Sequence, residues 1–296
     1  MKIDSHQHYW RYQREDFPWI SEAMPALQRD LLPADSAAAM QAAGLTHSIT
    51  VQARSMERET DDLLQLAREN AQVLGVVGWT DLRSPQLEAQ LARWQGEPLL
   101  RGFRHIVQDE PDVAGLLGDA AFNRGLGLLQ ARQLSYDVLV FAHQLPAALE
   151  FCARHDRHWL VLDHVAKPDL SHSPEHQEKT RAWRSHVKAL SGLPHLMCKL
   201  SGLVTETAWA QGTGLSAQDR SAILQCFDHA LDCFGAERLM FGSDWPVCQL
   251  AAPYDTVAAL AHAWADARLS STEQDAFWQG NAVRAYGLHL PAVLRK

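Results

Sequence analysis

The sequence predicts an α/β fold of the (β/α)8, TIM-type barrel class, built as a single domain over residues 1–296. Three observations predict it. Eight short apolar runs recur down the chain, and stretches of helical periodicity lie between them. Eight is the number of parallel strands that closes a barrel, and such barrels commonly run to about 250 residues. Most of the runs end in polar or titratable residues, at the strand ends where a barrel carries its reacting groups.

The runs, in order, are Lys2–His6, Ser48–Gln52, Val73–Trp79, Leu100–Ile106, Val138–Phe141, Leu160–Leu162, Leu196–Leu200 and Leu239–Gly242. Between them Glu57–Asn70, Ser84–Trp94, Pro146–His155, Glu175–Leu190 and Ser216–Phe234 place apolar residues at helical spacing, and Pro253–Ala267 and Ser271–Tyr286 close the chain. Ser84-Pro85 puts proline at a first helical position, and Ser216-Ala-Gln-Asp219 has the form of a capping box. An open doubly wound sheet would carry a glycine fingerprint in its first βα turn, whereas the first run here ends Asp4-Ser5-His6-Gln7-His8. The letters Gly212-Thr-Gly214-Leu-Ser-Ala217 fit a dinucleotide loop but follow no strand, so no nucleotide site is read there.

Composition narrows the function. Hydrophobic residues make up 47% of the chain, enough for a packed core. The formal charge of −8 lacks the basic footprint that nucleic acid or an anionic membrane surface requires. The N-terminus has His and Asp where a signal peptide needs an apolar run, and five scattered cysteines read as buried thiols in a reducing, cytoplasmic compartment. Fifteen histidines and ten tryptophans exceed what a bland fold requires, so their positions carry the functional reading.

Residues i and i+2 of an extended strand share a side, so His6 and His8 converge at the end of the first strand, as a metal-ligand pair or as hydrogen-bonded neighbours. The last strand ends Phe241-Gly-Ser-Asp244-Trp245-Pro246. In a closed barrel strands one and eight are neighbours, which brings Asp244 to face His6 and His8. Strand six ends Asp163-His164-Val-Ala-Lys167, strand four adds Arg104 and His105 at the mouth, and strand seven ends Cys198-Lys199-Leu-Ser201. Trp10 and Trp245 lie on predicted mouth loops, where a sugar or ring face can stack. His143, just past strand five, is left open. No G-x-S-x-G elbow, P-loop or H-E-x-x-H motif is present.

Five segments together resemble the amidohydrolase superfamily, and within it the sugar lactonases of the L-fuconolactonase and L-rhamnonolactonase type. They are Ile3-Asp-Ser-His6-Gln-His8-Tyr-Trp10, Gly102-Phe-Arg104-His105, Val161-Leu-Asp-His164-Val-Ala-Lys-Pro168, Cys198-Lys-Leu-Ser-Gly202 and Phe241-Gly-Ser-Asp-Trp-Pro246. The resemblance implies hydrolysis of a sugar-acid lactone by activated water. It assigns catalysis to Asp244 and His164, one divalent ion, zinc by preference, to His6, His8 and Asp244, and substrate binding to Arg104, His105, Lys199, Trp10 and Trp245. Strand four offers no lysine to bridge two metals, and related lactonases include members without a metal, so the need for the ion stays open. Two other functions stay open as well. One is a metal-dependent decarboxylase of the same superfamily, which leans on a strand-five histidine. The other is a non-catalytic carbohydrate-binding barrel.

Overall fold

The computed structural model describes residues 1–171, 175–209 and 214–290, so Gly212 and Thr213 of the dinucleotide-like letters lie outside the described residues. Eight parallel strands run in sequence order: β1 (Ile3–Gln7), β2 (His47–Val51), β3 (Val73–Gly78), β4 (Leu100–His105), β5 (Ser135–Val138), β6 (Leu160–Leu162), β7 (Leu196–Leu200) and β8 (Leu239–Phe241). Around them lie α1 (Pro33–Ala42), α2 (Glu59–Glu69), α3 (Leu87–Arg93), α4 (Val113–Gly118), α5 (Ala120–Ala131), α6 (Leu145–Ala153), α7 (His176–Ser191), α8 (Ala217–Phe234), α9 (Tyr254–Arg268), α10 (Ser271–Asp275) and α11 (Asn281–Tyr286). The predicted barrel is the fold.

Strand periodicity divides the core in two. Leu196, Cys198 and Leu200 of β7 and Leu239 and Phe241 of β8 pack in the larger cluster with the helices. Met197 and Met240, their alternates, join Ile3, Ile49, Val77 and Val161 in a second cluster with Tyr286 of α11. Closure falls to the loop after β8. The Asp244 N–H donates to the His6 carbonyl at 2.9 Å, and the His8 N–H donates to the Trp245 carbonyl at 2.7 Å. Buried Asp4 braces this join, accepting from the Ser243 N–H at 2.9 Å, the Gln7 amide at 2.7 Å and the Tyr254 hydroxyl at 3.1 Å. Glycine is required at position 242, because a Cβ there would come within 2.6 Å of the His6 Cβ.

Three expectations shift. The fifth strand is Ser135–Val138 rather than Val138–Phe141, because its inward residue is a carboxylate, Asp137, which breaks the apolar run yet is buried against Lys199. Helix α3 starts at Leu87, with Ser84-Pro85 in the preceding turn. The last predicted helix is interrupted by a π turn at Ala276–Gly280. The Ser216–Asp219 capping box forms as read, with the Asp219 N–H donating to Ser216 Oγ at 3.1 Å. Among the described residues no helix is long and apolar enough to cross a membrane.

His155, just past α6, is buried against Phe151, with Nε2 2.8 Å from the Asn123 side-chain oxygen. Burial, then Arg154, His195 and Arg157, lower its pKa to about 4, and Asp156 pulls the other way. The unfolded chain therefore takes up a proton near pH 6.5 that the folded chain refuses. Stability from this group is complete above that pH and falls as pH drops from 6.5 toward 4. Denaturant midpoints across this window should fall less steeply for His155→Gln than for wild type, and equal slopes would discount the residue.

Candidate active site

The strand alternation that sends Met197 into the barrel also sends Lys199 there, and with it Asp137 of β5, Arg104 of β4 and Asp163 at the end of β6. All four are buried. Lys199 Nζ lies 2.5 Å from Asp137 Oδ2 and 3.1 Å from Asp163 Oδ1. Arg104 Nη1 lies 2.9 Å from Asp163 Oδ2, and its other nitrogens donate to the side chain and carbonyl of Gln52. Tyr286 donates its hydroxyl hydrogen to Asp137 at 2.8 Å. Charges this deep persist only when paired and hydrogen-bonded. Burial raises the Asp137 carboxyl against the pull of Lys199. The same burial acts on Asp163, but Lys199, His6 and Arg104 together hold that carboxyl well below its usual range.

Above this layer stand His6 and His8. His8 Nδ1 lies 2.8 Å from the Val51 carbonyl, to which it donates, leaving Nε2 with a lone pair. His6 Nδ1 lies 3.3 Å from Asp163 Oδ1 and 3.1 Å from Lys199 Nζ, while Arg104 Nη1 is 3.2 Å from His6 Nε2. Two Nε2 atoms and a carboxylate oxygen meet at one point. His6 Nε2 to His8 Nε2 is 3.2 Å, His8 Nε2 to Asp244 Oδ1 3.3 Å, and His6 Nε2 to Asp244 Oδ1 3.7 Å. Tetrahedral zinc with bonds near 2.0–2.1 Å spaces its ligand atoms by about 3.3 Å, so this donor set fits the ion. Asp163, His6 and His164 also cluster within ligand range of one another. However, Lys199 and Arg104 already neutralise Asp163, and a second cation there would face both.

Asp244 reaches the histidines from a left-handed backbone, φ +60°. Burial would raise its carboxyl, but His164, His8 and His6 hold it far below the usual carboxylate range. The loop after β6 is more strained. His164, Val165, Ala166 and Lys167 are four consecutive left-handed residues, an arrangement costing about 1–2 kcal/mol per residue. Left-handed single residues are uncommon and a β-branched one is an outlier, so such strain persists only where the surroundings dictate it. Here Ser201 Oγ bonds His164 Nδ1 at 2.9 Å, and Trp183 donates to the Val165 carbonyl at 2.8 Å. Gly202, φ +66°, leaves room for the ring, since a Cβ there would lie 2.4 Å from His164 Nδ1. The turn sets His164 Nε2 4.0 Å from Asp244 Oδ1, and burial lowers the His164 pKa to about 4, so its ring is neutral.

These groups open into a cavity of about 310 Å³. His8, Arg104, His164 and Asp244 form its floor, Lys167 and Glu206 one polar flank, and Trp19, Trp209, Leu139, Val247 and Leu250 its apolar walls. Of the expected site residues, His6, His8, His164, Asp244 and Arg104 come together. The other four do not. Lys199 is sealed beneath His6 in its ion pairs and reaches no substrate. His105 turns outward to Glu110 Oε1 at 2.6 Å and accepts from Trp79 Nε1 at 3.1 Å. Trp10 packs on Phe17 and Trp19 and donates to the Arg29 carbonyl. Trp245 is buried against Tyr9. His143 stacks on Phe141 and is absent from the cavity walls. Asp163 and Lys167 stand in the strand-six segment quoted for the family resemblance, but only the fold gives them roles. Glu206, six residues past β7, carried no sequence signal.

A parallel eight-stranded barrel with a histidine pair from its first strand facing an aspartate after its last is the architecture of an amidohydrolase. The amidohydrolase family model matches residues 3–288, and the chain belongs to that family. Among its relatives, an L-fucono-1,5-lactonase of Burkholderia multivorans is 53% identical over 295 residues, covering 100% of this chain and 99% of the relative. A second L-fucono-1,5-lactonase, of Burkholderia ambifaria, is 32% identical over 98% of this chain and 97% of its own. A crystal structure of a Burkholderia multivorans amidohydrolase with bound zinc superposes with a TM-score of 0.93 at 53% identity, covering 98% of this chain and 100% of that one.

Lys199→Met would leave Asp137 and Asp163 buried without their shared cation. Breaking a buried pair from one side costs about 3–5 kcal/mol. Urea or thermal unfolding of Lys199→Met should show a loss of that order, and a variant as stable as wild type would show that the charge layer is not held by this lysine.

Proposed function

We propose that the protein hydrolyses a sugar-acid lactone, L-fucono-1,5-lactone or a similar aldonolactone, to the free acid, acting as one domain. The observation that carries this reading is the meeting of His8 and Asp244 at the floor of a substrate-sized cavity with His6 directly beneath them, in a chain so close to two lactonases. The acidic surface and five free thiols support a cytoplasmic enzyme acting on a small molecule, without nucleic acid or membrane as partner.

A divalent ion on His6, His8 and Asp244, zinc by its two nitrogens and one oxygen, would lower the pKa of water and polarise the lactone carbonyl. Asp244, fully ionised, takes the proton of the attacking water through its second carboxylate oxygen. As the water oxygen bonds to the carbonyl carbon, the carbonyl electron pair moves onto oxygen, beside donors that need no rearrangement. Arg104 is one. His164 is the other: Ser201 Oγ engages its Nδ1, and the tautomer with hydrogen on Nε2 donates to the oxyanion. The tetrahedral species then expels the ring oxygen, and Asp244 returns its proton to that alkoxide, giving the hydroxy acid. Lactone opening by this route makes no use of a strand-five histidine. The place of His143, outside the cavity walls, favours lactone hydrolysis over the decarboxylase alternative.

Acid release from L-fucono-1,5-lactone, followed by a pH indicator, should be rapid with wild type, lost on chelation and restored by zinc. Asp244→Asn should lose at least about 10³-fold in kcat while unfolding at the wild-type temperature. A folded, active Asp244→Asn enzyme would remove Asp244 from the chemistry.

A further inference from the structure

Lys167 and Glu206 face each other on one flank of the cavity, Nζ to Oε1 3.9 Å, each side chain 18% exposed. At that separation they attract but do not hydrogen-bond, so the donors of one and the acceptors of the other remain available. Gln108 lines the same cavity, and its side-chain oxygen is buried with no hydrogen-bond partner among the described residues. Burial raises the Glu206 carboxyl to about 7 even with Lys167 beside it, as for a carboxylate stripped of water and short of donors. No step of lactone opening uses any of the three.

Their positions are fixed relative to the reacting groups. Lys167 ends the left-handed turn that begins with His164, and the Lys167 N–H donates to the His164 carbonyl at 2.9 Å. Glu206 sits on the neighbouring loop after β7, whose start at Ser201 and Gly202 holds the His164 ring. The Leu170 N–H donates to the Glu206 carbonyl at 3.1 Å and Leu170 bridges Thr207, tying the two loops into one piece. Polar groups on so rigid a mount orient a ligand without first having to be ordered themselves.

We propose that Lys167 and Glu206, with Gln108 as a third acceptor, form a subsite that reads a vicinal diol of the lactone ring and so places the carbonyl over His6, His8 and Asp244. The ammonium donates to one hydroxyl oxygen, the carboxylate accepts from the adjacent O–H, and Trp209 covers the ring beside them. The subsite rests on the lactonase reading and adds to it which part of the substrate is recognised, and by what. A site built to hydrogen-bond hydroxyls rejects analogues that lack them far more strongly than an apolar wall does.

The test is kcat/KM for wild type, Glu206→Leu and Lys167→Met on L-fucono-1,5-lactone and on its monodeoxy analogues. Each variant should lose about 10²-fold on the full lactone. On the analogue missing the hydroxyl it reads, the variant should lose little beyond what that analogue already loses with wild type. Glu206→Gln, which keeps an acceptor oxygen, should recover part of the Glu206→Leu loss. Losses that multiply on every analogue would overturn the proposal, as would no loss on the full lactone. The variants lie on separate loops, so one that fails to fold leaves the other to decide. A wild type inert on every lactone would instead overturn the lactonase reading, and the subsite with it, before any variant is compared.

Discussion

The site depends on a layer of charge inside the barrel. Asp137, Lys199, Asp163 and Arg104 replace the branched aliphatic side chains that ordinarily fill such a lumen. Each alone would be costly in a medium of low dielectric, and each is tolerable because its partner stands one or two strands away. The layer also has a direction. Its carboxylate at Asp163 meets His6 Nδ1, and its guanidinium at Arg104 meets His6 Nε2, so the ring beneath the cavity floor is gripped from both sides.

Closure of the barrel supplies the other half. Strand β8 is three residues long, and the chain after it turns through a left-handed Asp244 before pairing again with β1. The same backbone hydrogen bonds that close the sheet therefore set the Asp244 carboxylate against His6 and His8. Asp4 stabilises that join from outside the lumen. The strained turn at residues 164–167 follows the same logic on the same rim, two strands away. Backbone conformations unfavourable in isolation are held by Ser201, Trp183 and the vacancy at Gly202, and they deliver His164 and Lys167 to one cavity.

Much of this was legible beforehand where position along a strand was the only question. The pair His6 and His8, His164 after β6 and Asp244 after β8 all come to the mouth because a barrel's strand ends all point one way. Reading failed where orientation decided. Lys199 is one residue short of the strand end, far enough down for the side chain to be enclosed. His105 follows Arg104 directly, so the period of two that turns one inward turns the other toward Glu110. Trp10 and Trp245 are near the mouth in sequence, yet large aromatic rings gain more from packing on Phe17 and Tyr9 than from standing in solvent.

The sequence by itself determined the number and order of the strands, the alternation that gives each strand an inner and an outer face, and the residues that end them. Those are local properties, written in the spacing of apolar side chains. Tertiary structure alone decided that Asp137 could sit in a strand, since its partner Lys199 lies 62 positions away. It decided too that Glu206 and Lys167, from different loops, would share a wall. Pairing between distant residues depends on how the sheet closes, and no window of sequence short enough to read for periodicity contains both partners.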